Sequence, residues 1–135
     1  LHSEFNPSKT EKTQLYQVWM HPSEPGGEPR YAEKSLGSRM APNSLTLLYS
    51  GDGRDGSTEI RQQAEIHFGR IAKNGSVDLP ASAGMPHAWV QVIKGSVSIL
   101  GESLNTADGL AVEKAPEGFA IEGLEESELL LFRLN

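Results

Sequence analysis

The 135 residues carry twelve basic and eighteen acidic side chains, a net charge of −6, 37% apolar residues, 14 glycines, 8 prolines and no cysteine. With no Lys/Arg block to offset it locally, that charge balance disfavours direct nucleic-acid binding and attachment to an anionic membrane, and the missing thiols exclude disulfides, thiolate metal sites and cysteine nucleophiles. No apolar run approaches the ~20 residues that span a bilayer and the start lacks a signal pattern, so a cytoplasmic protein is expected.

The length suits one domain burying roughly two thirds of the surface that its unfolded chain exposes. In chain order, β-type alternation recurs at residues 14–20, 45–50, 57–62, 65–72, 76–79, 87–94, 96–100, 110–113, 119–122 and 128–134. No stretch keeps a helical period, so an all-β barrel or sandwich of about ten short strands is expected. Residues 20–42, rich in Pro, Gly, Glu and Ser, form the one long irregular connection, which should drape over a sheet or link to another unit. In 87–94, Trp89, Gln91 and Ile93 alternate with Ala88, Val90 and Val92; both faces of that strand should be covered. Asn74-Gly75 fits a type I′ hairpin between two β-type runs, and Lys94-Gly95 separates two more. Asn74-Gly75-Ser76 also matches the N-glycosylation pattern, but the turn reading is preferred without a secretory signal.

Several chemical readings fail on context. Gly51-Asp52-Gly53-Arg54-Asp55-Gly56 is a literal G-x-G-x-x-G. Strand-like sequence follows it instead of a helix, and its aspartates would repel a pyrophosphate; a tight acidic turn is expected and no dinucleotide cofactor. A calcium loop lacks the D-x-D-x-D spacing, and no G-x-S-x-G exists for serine hydrolysis. His67 and His87 lie in β segments and are expected to be structural or surface histidines; His21, before Pro22, is given no role. His2-Ser3-Glu4 differs: in an extended strand residues i and i+2 share a face about 6–7 Å apart, so an imidazole and a carboxylate could meet one metal ion. Two ligands do not make a site, because a mononuclear centre needs at least three.

The stretch Leu1-His2-Ser3-Glu4-Phe5-Asn6, followed by Leu15-Tyr16-Gln17-Val18-Trp19, resembles the H-[SA]-E…L-Q-[IVL]-W pattern of the pirin family. Arg54-Asp55-Gly56-Ser57 resembles the family's R-D-G-S turn, Trp89-Val90-Gln91-Val92-Ile93-Lys94-Gly95 its W-x-Q-V-x-K-G strand, and Leu130-Leu131-Phe132 its closing strand. In this order they cover nearly the whole chain and are most similar to bacterial pirin-like quercetin dioxygenases.

The resemblance implies a bicupin, two cupin-type β-barrels (double-stranded β-helix, jelly-roll), of which this chain is one half. Residues 1–20 would end the N-terminal metal-binding cupin and bridge the domains, and residues 21–135 would form a C-terminal metal-free cupin. Leu1 is not methionine, and the chain is expected to be part of a longer protein. By resemblance, three His and one Glu hold the metal; His2 and Glu4 supply two ligands, and an upstream H-x-H in the missing N-terminal half supplies the others. The ion would be iron, nickel, cobalt or copper, and none is expected in this chain alone.

A second metal in the C-terminal barrel is not expected. Ala88 stands seven residues before Gly95, where a metal-binding cupin places Glu, and residues 108–122 contain no histidine. The resemblance implies a metal-dependent flavonol (quercetin) 2,3-dioxygenase as the intact protein, with Glu4 taking the substrate's 3-hydroxyl proton and this half closing the site. Two alternatives remain open: a metal-dependent regulatory module that binds a protein without turnover, and a purely structural β-barrel.

Overall fold

Leu, Ile and Val at every second position, interrupted by turn residues, leave the chain no helical face to bury, and it resolves into strands. The computed structural model describes residues 3–37, 40–115 and 117–135. Within them lie β1 (Ser44–Ser50), β2 (Thr58–Glu59), β3 (Ala64–Ile71), β4 (Ser76–Pro80), β5 (His87–Lys94), β6 (Ser96–Ile99), β7 (Glu102–Asn105), β8 (Gly109–Val112), β9 (Gly118–Gly123) and β10 (Ser127–Leu134), with a 3-10 turn at Arg54–Gly56. They form a six-stranded sheet, β2-β1-β3-β10-β5-β8, facing a four-stranded one, β4-β9-β6-β7. The fold is the expected all-β cupin-type sandwich.

Between the sheets lies one core. Val90, Val92, Val97, Ile99, Ile121, Leu129 and Leu131 are fully buried there, each contributing about 1.5–3 kcal/mol of transfer free energy. The outward faces differ. On the four-stranded sheet the cross-strand row Ser76–Glu122–Ser98–Ser103 is polar. On the six-stranded sheet the row Ile66–Phe132–Trp89–Ala111 is apolar, and the next includes Phe68 and Leu130.

Three expectations are corrected. Residues 14–20 alternate as a strand would but belong to neither sheet. Tyr16, Val18 and Met20 instead border an opening together with Leu48, Ile66 and Leu130 on the outer face of the six-stranded sheet, and Tyr16 and Val18 stay exposed, so the alternation does not record strand pairing. β7 was not anticipated, because Glu102-Ser103-Leu104-Asn105 has one buried apolar residue to reveal it. Asn74 takes φ 61 but Gly75 has no positive φ, and Gly75 N bonds to Ala72 O at 2.9 Å, so the pair is not the type I′ turn expected and closes no hairpin: β3 and β4 lie in different sheets, and the turn carries the chain across the sandwich. Gly95, at φ 84, makes the same crossing between β5 and β6. The described residues of the 20–42 connection form no strand, as expected, and are pinned by the hydrogen bonds Ser23 N to Arg61 O at 2.9 Å and Lys34 Nζ to Ser57 O at 2.7 Å.

Candidate functional site

His2 lies outside the described residues. Glu4 is exposed and belongs to neither sheet. Among the described residues no group of three or more His, Cys, Asp or Glu converges to hold a metal ion. The donor chemistry of His2 and Glu4 suits a transition metal, but the described chain does not complete a coordination sphere. Ala88 points into the barrel, 5% exposed, with Val112 and Arg133 as its cross-strand neighbours; the position at which a cupin could carry a carboxylate ligand is packed with a methyl group.

The inner face of β3 holds a polar cluster that sequence reasoning missed. Glu65 and His67 project inward from alternate positions, and Arg133 on β10 pairs with Glu65 across the sheet. The Glu65 carboxylate accepts from the Arg54 guanidinium through Oε1 and meets His67 Nε2 at 3.1 Å through Oε2. Arg133, also buried, donates to the Pro80 carbonyl. Burial pushes the Glu65 carboxyl up, but the hydrogen bonds from Arg54 and His67 outweigh it and hold the carboxyl below its ordinary value. For His67, burial is the largest influence and favours the neutral ring; Glu65 opposes it, and Arg133 and Arg54 reinforce it. His67 is a largely buried histidine with a charged partner, Glu65. No local motif could show this, since Arg54, Glu65 and Arg133 meet only through long-range pairing.

The motifs that carried the resemblance have structural causes. In the Arg54–Ser57 turn, Asp52 Oδ1 accepts from Ser50 Oγ at 2.9 Å and Arg54 Nη1 at 3.1 Å, and the Ser50 and Ser57 hydroxyls are 2.7 Å apart. No helix follows, so the acidic turn reading of G-x-G-x-x-G stands. Trp89 lies against Gly109, where a Cβ would overlap the indole. Gln91 Nε2 donates to Ala107 O and Asp108 O, each at 3.0 Å, fixing the turn before β8. His87 accepts from Lys114 N–H at 3.4 Å. His21 is exposed.

An opening of about 670 Å³ lies between the irregular connection, at Pro22, Tyr31 and Ala32, and Tyr49, Thr58 and Ile60, and two smaller ones lie on the outer face of the six-stranded sheet beside the 14–20 segment. One of about 440 Å³ involves Tyr16, Val18, Tyr49 and Ile66; another of about 390 Å³ involves Trp19, Trp89, Leu130 and Phe132. Both are open, and the polar groups at them are few.

Comparison with known proteins matches residues 47–134 to the quercetinase C-terminal cupin domain. Quercetin 2,3-dioxygenase of Escherichia coli (strain K12) is 38% identical over 133 residues, 98% of this chain and 55% of that protein. The crystal structure of the bacterial pirin YhhW from Escherichia coli in complex with nickel(II) superposes with a TM-score of 0.74 at 34% identity, covering 84% of this chain and 47% of that one. A "pirin-like protein" of Caulobacter vibrioides is 28% identical over 131 residues, 96% of this chain and 55% of its own length. The chain thus spans about half the length of the curated relatives it matches.

Proposed function

The chain belongs to the quercetinase C-terminal cupin domain family, and from that premise we propose that it is the metal-free second half of a two-cupin flavonol 2,3-dioxygenase, with residues 1–20 completing the metal-bearing half and residues 21–135 forming the C-terminal cupin. The observation that carries this reading is the match of nearly the whole chain to about half of a quercetin 2,3-dioxygenase. The nickel(II) bound by a related bacterial pirin supports a transition metal in the longer protein.

In this reading His2 and Glu4 are two of the metal's ligands, and an H-x-H in the other half supplies the rest. Bound there, the metal supplies Lewis-acid chemistry toward a flavonol's 3-hydroxyl and 4-carbonyl oxygens. Glu4 accepts the 3-hydroxyl proton, a role that suits an ionised carboxylate beside the substrate. Residues 21–135 act by packing: Ala88 fills one ligand position and the interior holds an apolar core beside the paired Glu65 and His67, so they wall the site without entering the chemistry.

Quercetin consumption by the two-cupin protein tests this. Glu4→Gln, which keeps the shape and removes the base, is expected to slow turnover about 100-fold or more. A Glu4→Gln protein that retains the full rate would overturn the assignment.

A further inference from the structure

One buried cation in the sandwich is left without a counter-charge. Arg133 projects inward from β10, 8% exposed, between Glu65 on β3 and Ala88 on β5. It stands at the end of the sandwich where β4 and β10 finish and β5 begins. Its Nη2 donates to the Pro80 carbonyl of the opposite sheet, and among the described residues it makes no other hydrogen bond and no ion pair. Glu65, its cross-strand neighbour, is committed elsewhere: Oε1 accepts from Arg54 and Oε2 meets His67 Nε2 at 3.1 Å. Taking a guanidinium out of water is unfavourable unless a charge or a full set of acceptors meets it. Burial accordingly holds Arg133 below its ordinary value, and Glu65 is the one group that opposes this.

The unused donors are not sealed in. Among the described residues no fully buried side-chain nitrogen lacks a partner, so Nε and Nη1 of Arg133 reach solvent at this mouth of the barrel. Nη2 spends one proton on Pro80, and one two-donor edge of the fork stays free whichever proton that is. The surrounding charges decide what can bind there. Glu65 and His67 stand at i and i+2 as a ligand pair would, but the guanidinium groups of Arg54 and Arg133 beside them oppose a metal ion. Two arginines against one buried carboxylate and a neutral ring leave one positive charge. Asp52, the other partner of Arg54, is largely exposed, where solvent screens it.

We propose that this mouth of the barrel binds a small carboxylate, held by both oxygens on the free edge of the Arg133 guanidinium beside Ala88. A carboxylate is planar, spaces its two acceptors as the fork spaces its donors, and brings one negative charge to one positive. A phosphate dianion would set a second charge against Glu65. The short side chains Ala88 and, on the next strand, Val112 suit an acid of formate or acetate size. Neither a metal, a flavonol nor a second cupin takes part, so the site belongs to this chain whatever the longer protein does.

Titration of the isotope-labelled 135-residue chain with sodium formate tests this, with sodium chloride holding the ionic strength constant and the Nε–H signal of each arginine followed by NMR. Arg133 Nε–H should shift and saturate, whereas the exposed Arg30 and Arg70 should not. Arg133→Gln should abolish the binding, read from the surrounding backbone amides, and Arg133→Lys, a point charge in place of a fork, should weaken it about 10-fold or more. The wild-type signal is assigned through its own backbone, so the titration decides even if both variants fail to fold. A shift that never saturates, or Arg30 and Arg70 moving in step with Arg133, would reduce the effect to general screening and overturn the proposal. Binding retained in Arg133→Gln, or inorganic phosphate saturating the same signal at lower concentration than formate, would overturn it as well.

Discussion

At the scale of the residue, the Arg54–Glu65–His67–Arg133 cluster binds the pH dependence of the fold to one imidazole. His67 titrates below its ordinary value when folded, so the unfolded chain binds a proton that the native state refuses; stability is full above the unfolded value of about 6.5 and falls as pH drops toward the lower folded value. Glu65, held below its ordinary value, adds a loss of the same sign once pH falls below roughly 4.5. Urea unfolding at pH 7.5 and 5.5 should show wild type losing stability on acidification and His67→Gln, which cannot be protonated, losing measurably less. Equal losses would mean that His67 does not carry the effect. The cluster was illegible in the sequence because its members come from a turn and two strands, whereas His2 and Glu4 were legible only as a pair: the spacing i, i+2 offers two donors, and the resemblance supplied the rest.

Among the elements, β3, β5 and β10 could be placed closely because each carries apolar residues on both faces. The 14–20 segment shows how alternation misleads. A chain that lays one face on a sheet has the same period as a strand within it, and only the pairing tells them apart. Crossings between sheets were legible as turns but not as crossings, since positive φ is demanded by either. Gly95 and Gly101 separate backbone strain from packing: both have φ near +85, yet an added Cβ meets nothing at Gly101 and overlaps the Glu126 carbonyl at Gly95. Gly101→Ala should therefore cost about 1–3 kcal/mol from strain alone, and Gly95→Ala clearly more. Urea midpoints of the two variants compare them directly, and an equal loss would show that the β5–β6 crossing yields at no cost.

For the whole molecule, the proposed function divides two labours between two barrels: this one keeps the shape of a cupin around an apolar core and the Glu65–His67–Arg133 cluster, and the chemistry is assigned to the other, reached through residues 1–20. Composition, alternation and turn chemistry disclosed the all-β class, but the asymmetry of the two outer faces appears only once the strands are registered. Under that proposal the 135-residue chain brings only His2 and Glu4 of the four ligands, and ordering them costs about 1–2 kcal/mol per residue before any ion is gripped. The most direct measurement is the transition-metal content, by elemental analysis after dialysis without chelator, of the 135-residue chain beside the two-cupin protein and its His2→Ala and Glu4→Ala variants. The account predicts far less than one metal per short chain, close to one per long chain and a marked loss in both variants; a full equivalent in the short chain, or in both variants, would contradict it.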